Sequence, residues 1–296
     1  MKFLISFLCF SVFLSTFAQK TYLLKQDYPV GKKYDYSINS DQIINQKVSG
    51  KSLNYVQNVS TDYSFDITGT KGLDKNIKVT YKRITIKSIG MGNELILDSD
   101  KEEVGKQNPF AGLKNSSFDM VLSPNGSIKS VSGVESMVDR MAVKISTDTA
   151  QIKQIKLSLS KQFNSEVIRQ TLESSMRIYP EKAIKVGDSW IVNSKMKITM
   201  PIESITTYTL KEIKDGIAIL AIRATLISKG DFDSMGNKMQ TDLKGMNIGD
   251  AQIDLKTGLI LSSHIRIELY GKMKAVDQDI DFDMEGINKI SGKAAN

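Results

Sequence analysis

His264 is the only histidine in the 296 residues, and Cys9 is the only cysteine. One imidazole can serve a single acid–base step, but it cannot form a Cys–His pair or a histidine metal site by itself. His264 shares strand parity with Arg266, Glu268 and Tyr270, which reads as a surface histidine. No Gly-x-Ser-x-Gly elbow, phosphate-binding glycine loop, dinucleotide fingerprint or His/Glu metal spacing occurs. Asp231-x-Asp233-x-x-Gly236 imitates the opening of a calcium loop, with Asp242 at its twelfth position. Met235 at the fifth position offers no hard oxygen, and aspartate is short for the twelfth. Asp277, Asp279, Asp281, Asp283 and Glu285 alternate with apolar residues and so share one strand face. The expected answer to that repulsion is a basic row at Arg266, Lys272 and Lys274 in a solvated surface, with no bound cation. No catalytic residue, metal site or cofactor is assigned.

Cys9 itself belongs to an address. Met1-Lys2 precedes an apolar run from Phe3 to Leu14, and Ser15-Thr16-Phe17-Ala18 leads to Gln19. That layout predicts a cleavable signal peptide over residues 1–18 and an exported protein, periplasmic or secreted, with outer-membrane association left open. Leu8 ahead of Cys9 is too large for a lipidation site. The mature chain then has no thiol and no apolar stretch of transmembrane length. The charge of +7 is spread over singly placed lysines, which, with export, argues against nucleic acid as a partner.

Period-2 alternation dominates the rest. Leu53, Tyr55, Val59, Tyr63, Phe65 and Ile67 share one parity against Asn54, Asn58, Ser60, Asp62, Ser64 and Asp66, predicting a long antiparallel strand. Ile77, Val79 and Tyr81 continue after a turn, and the apolar parity flips at Lys82-Arg83, predicting a bulge. Pro124-Asn125-Gly126 and Lys256-Thr257-Gly258 read as turns. Ile217 to Ile227 is apolar at both parities, predicting burial on both faces, whereas 231–249 is polar and glycine-dotted, predicting a long loop.

Residues 132–178 change period. Ser132 with Glu135 suggests a capping box, and apolar stripes at Val134/Met137/Val138/Met141, Ile152/Ile155/Leu159 and Val167/Ile168/Leu172/Met176 predict about three helices ending before Pro180. The organisation is therefore a β-rich half over 19–131, a helical insert over 132–178 and a second β-rich half over 179–296, all one domain. Val30-Gly31-Lys32-Lys33-Tyr34 resembles Val186-Gly187-Asp188-Ser189-Trp190, which leaves internal duplication and chance recurrence of similar hairpins both open. The expected fold is α+β: a long curved antiparallel sheet, half-barrel or sandwich-like, with the helical insert packed on one face. Trp190 is expected to be largely buried against that insert.

From Ile178 through Val186-Gly187-Asp188-Ser189-Trp190 the chain resembles a family of exported Gram-negative bacterial proteins known only as a domain of unknown function. The resemblance extends to Phe118-Asp119-Met120, Ser123-Pro124-Asn125-Gly126 and Ile253-Asp254-Leu255-Lys256-Thr257-Gly258. It implies a secreted or periplasmic β-rich domain and carries no activity and no site residues.

Two functions of different class fit these residues. The first is a noncatalytic binding module of the cell envelope for a lipid or other apolar ligand, its cavity lined by Met137, Met141, Leu172 and Met176 with Ile217 to Ile227 opposite. The alternative is a hydrolase of envelope glycans working through paired carboxylates. The sequence leaves the oligomeric state unassigned.

Overall fold

A computed structural model describes residues 20–101, 108–197, 200–234, 237–275 and 278–295. The expected leader over 1–18 lies outside these, as do Met235, Gly236 and Asp277. Twelve strands, β1 Lys33–Val48, β2 Lys51–Lys71, β3 Asp74–Gly90, β4 Asn93–Asp98, β5 Ser117–Leu122, β6 Ile128–Ser132, β7 Ser189–Lys197, β8 Pro201–Lys214, β9 Ile217–Ser234, β10 Asn237–Asp254, β11 Ile260–Ala275 and β12 Gln278–Ala294, form one sheet. Its order is β6-β5-β3-β2-β1-β12-β11-β10-β9-β8-β7, with β4 attached to β3. Each half is an antiparallel meander, and the two join where β1 pairs with β12. The sheet remains open.

The insert supplies α1 Glu135–Ala142, α2 Thr149–Gln162 and α3 Ser165–Met176, as the change of period predicts. Ser132 is not the cap; it is the last residue of β6, and α1 starts without a side-chain cap. Asp148 and Asn164 cap α2 and α3 by accepting from the Gln151 and Val167 backbone N–H groups. The parity flip in β3 is a bulge: Asp62 pairs with Arg83 but Tyr63 with Tyr81, leaving Lys82 over.

Two strand expectations fail. The described residues of 231–249 are not a loop; β9 and β10 pair from Ser234↔Asn237 to Ile217↔Asp254. The ladder overrides local turn propensity because Thr241, Leu243, Ala251 and Ile253 bury one face of β10. The run Ile217 to Ile227 is buried on one face only: Ala218, Leu220, Ile222 and Leu226 point inward while Ile227 is 47% exposed. Trp190 is half-buried, its indole N–H donating to the Ile178 carbonyl at 2.9 Å and its ring stacked on Tyr208.

The inner face explains the curl. Gly245 and Gly249 of β10 face inward, where a Cβ would run into the Glu268 and His264 carbonyl oxygens of β11. Only glycine lets neighbouring strands approach that closely at a bend. The curl brings β6 and β7, the end strands of this order, to α3, which contacts both.

The two halves repeat one construction. The Gly31 N–H donates to the Ile67 carbonyl and the Ile67 N–H to the Lys32 carbonyl; Gly187, Leu210 and Asp188 make the same pair of bonds. Both second strands then bulge one residue later, between Ile67 and Gly69 and between Leu210 and Glu212. Tyr34↔Phe65↔Val79 in one half corresponds to Trp190↔Tyr208↔Ile222 in the other. Shared bulges and bonds at shared positions are more than similar hairpins require.

The main core holds inward residues of both halves, including Tyr34, Tyr36, Phe65, Val79 and Leu220, together with Met137, Met141, Leu172 and Met176 from the helices. A second, smaller cluster holds Leu226, Leu243, Leu269, Met273, Ile280 and Phe282 farther along the inner face. On the outer face Asp279, Asp281, Asp283 and Glu285 are exposed, with Lys272 3.1 Å from Asp281 and Arg266 3.6 Å from Glu285. That is the solvated, charge-answered surface expected for those four positions.

Candidate ligand groove

Register alone places a wall. Gln42, Gly286, Ile267, Asn247, Ala224, Thr206 and Val192 form one row across seven strands from β1 to β7. The adjacent row is Ser40, Asn288, Ile265, Gly249, Ile222, Tyr208 and Trp190. Both rows face inward, and between them and α3 lies a groove of about 800 Å³. Its floor is apolar, with Ile222, Leu226, Ile265, Ile267, Leu269, Met284 and Ile290. It touches both hydrophobic clusters, and Asn247, Asn288, Gln42 and Thr206 are among the polar residues between its aliphatic ones.

The helix α3 gives the groove its second wall and fastens the sheet edges. Leu172 and Met176 point into the core, so Arg169, Gln170, Glu173 and Arg177 face the groove. The Gln170 side chain accepts the Lys197 backbone N–H of β7 at 2.7 Å, and Arg177 donates to the Asn193 carbonyl at 3.3 Å. Across the gap, Glu173 accepts the Ile128 backbone N–H of β6 at 3.0 Å. Three side chains of one helix thus satisfy edge groups that an open sheet would leave to solvent or to another strand. Arg169 locks the row, donating to Glu166 at 2.7 and 2.8 Å and to Glu173 at 2.8 Å. Its hydrogen bonds, with a further one from Gln170, pull the Glu166 carboxyl down to about 2. The stability this pairing contributes is full above the ordinary value of 4.5 and is lost as pH falls toward 2.

Glu173→Ala is expected to cost about 1–3 kcal/mol, because it leaves the Ile128 N–H without its acceptor and takes from Arg169 one of its two carboxylate partners. Urea unfolding measures it. Glu173→Gln keeps an acceptor for Ile128 and should recover part of the loss. Equal effects of the two substitutions would show that α3 does not fasten β6 in this way.

Met137, Met141, Leu172 and Met176 are 0–3% exposed in the main core, and none of the four lines the groove. The helix stripe that sequence periodicity detects is the one that packs; the groove takes the opposite face. Opposite α3, Ile222 and Leu226 of the 217–227 run do form part of the floor. Asn247, Asn288 and Thr206 are absent from the sequence reading. For β10 a signal existed: Met239, Thr241, Leu243, Gly245, Asn247, Gly249, Ala251 and Ile253 keep period 2 beneath the loop-like composition.

Two carboxylates lie at the groove. Glu173 is held by Arg169 and Ile128, and Glu203 is 2.8 Å from Lys195 on the surface. His264 is exposed. Asp231, Asp233 and Asp242 sit on the β9–β10 hairpin, where Asp242 registers against Lys229. No group of three metal-ligating side chains occurs among the described residues.

A family model described as "Family of unknown function (DUF6263)" matches residues 73–260. The chain belongs to that family. The resemblance to a domain of unknown function is thereby borne out, and the family brings no activity with it. Comparison with curated proteins gave no match. Among solved structures, one described as "Lipid-protein interactions in lipovitellin" matches at 10% identity and TM-score 0.50, over 91% of this chain and 26% of that one. The chain thus spans about a quarter of that structure, and the likeness is one of fold alone. The translocator domain of the autotransporter NalP from Neisseria meningitidis matches at 7% identity and TM-score 0.34, over 89% and 90% of the two chains. No helix among the described residues is long and apolar enough to cross a membrane.

Proposed function

We propose that this protein is a noncatalytic binding module of the cell envelope that holds an apolar or amphipathic molecule between α3 and the inner face of β7 to β12. The observation that carries the reading is the groove itself: about 800 Å³, with a largely aliphatic floor on the sheet and a polar, charged wall from α3 and the β7–β8 edge. Its size is that of sites that enclose most of a small ligand, and one apolar and one polar wall suit an amphipathic molecule. The fold's likeness to a structure described by its lipid–protein interactions supports the same reading. Residues 1–18 support export, since their charged start, apolar run and small residues at 16 and 18 form a cleavable leader. Met137, Met141, Leu172 and Met176 act here by anchoring the helices, so that α3 presents its polar face to the ligand.

The test is native mass spectrometry of mature protein purified from its own envelope, paired with thermal melts in the presence of an acyl amphiphile. A bound small molecule is expected, and saturation at a hundred times Kd should add about 2.7 kcal/mol of stability. A protein that carries nothing and whose melt no acyl amphiphile moves would sink the reading.

A further inference from the structure

The polar groups along the groove divide into two kinds. Ser194 and Ser204 bond each other at 2.8 Å, Ser263 donates to the Asp250 carbonyl, and Gln42 donates to Ser40. Asn247 and Asn288 differ. Each lines the groove, each has a side-chain oxygen buried from solvent, and neither of those oxygens has a hydrogen-bond partner. Native proteins satisfy nearly all such atoms, so two in one groove require an account. They lie two strands apart, Asn247 on β10 and Asn288 on β12, roughly 10 Å across the sheet at about 4.8 Å per strand. Their cross-strand neighbours are Ile267, Ala224, Ile265 and Ser40, so no charged side chain stands directly beside either amide.

We propose that Asn247 and Asn288 each offer an acceptor to a neutral hydrogen-bond donor, an amide N–H or a hydroxyl, carried on the ligand's chain, so that the groove selects functionalised acyl amphiphiles over plain ones. This rests on the groove being the binding site. On the floor, where the sheet neighbours of both amides are uncharged, a charged group would lack a counter-ion beside it, whereas a neutral donor meets an acceptor that is already desolvated. Plain hydrocarbon leaves both oxygens unpaired, and that difference is what discriminates.

The experiment compares N-ethylhexadecanamide with ethyl hexadecanoate, equal in length and differing at one N–H. The amide is expected to bind about tenfold more tightly, the worth of one hydrogen bond to a buried acceptor. The double variant Asn247→Leu/Asn288→Leu should lose the preference, binding amide and ester within about threefold of each other. Without ligand it should melt at a higher temperature than wild type, because leucine replaces an unpaired amide with an apolar group of similar size. Equal binding of amide and ester by wild type, a preference that survives in the variant, or a lower melting temperature of the variant each overturns the asparagine assignment and leaves the groove reading standing. Binding of neither probe by wild type overturns both.

Discussion

Gly245→Val is expected to destabilise the protein by about 3 kcal/mol, near the top of the range for overpacked sites. The inward Cβ would meet the Glu268 carbonyl oxygen and the Leu269 Cα of β11, which are backbone atoms that no rotamer change can move aside. Relief requires β10 and β11 to separate, and that flattens the bend that brings β7 to α3. A fall of roughly 6–10 °C in melting temperature follows at this chain length. Gly69→Ala is the control, since its nearest neighbour is the Asn76 side-chain nitrogen at 3.6 Å and it should change stability by about 0.5 kcal/mol or less. Comparable losses at the two positions would show that close approach at the bend is not what Gly245 provides.

Thr206→Trp should weaken the binding of an acyl amphiphile by about a hundredfold while leaving the fold intact. Thr206 stands on the inner face of β8 and opens directly onto the groove. An indole there occupies space that the ligand needs, and excluding three or four methylenes at about 0.8 kcal/mol each accounts for the factor. The substituted ring enters open space, so stability should change by about 1 kcal/mol or less. Calorimetric titration measures the affinity, and denaturant unfolding the stability. An unchanged affinity would remove the groove as the binding site, since no ligand filling it could ignore a tryptophan on its floor.

Sequence alone settled the architecture wherever burial has a period. The alternation from Leu53 to Ile67, the flipped parity at Lys82 and the helical stripes of 132–178 each follow from one local rule, that side chains of equal character share a face. The charged face from Asp279 to Glu285 and its basic partners were legible for the same reason. The paired Gly31 and Gly187 segments leave a repeat and chance recurrence both open in sequence, and the shared bonds and bulges favour the repeat.

Where the period was masked, reading failed. Residues 231–249 read as a loop because they are polar and glycine-dotted, yet Gly245 and Gly249 stand where two strands meet too closely for any side chain. That requirement comes from β11, some twenty residues away, and leaves no trace in local propensity. The binding wall failed to appear for a related reason. A helix's apolar stripe announces what it packs against, so Met137, Met141, Leu172 and Met176 signalled core, whereas the groove is whatever surface remains once packing is complete. Only the curl of the sheet decided that Asn247, Asn288 and Thr206 would face the polar side of α3, because cross-strand register brings them there from three different hairpins.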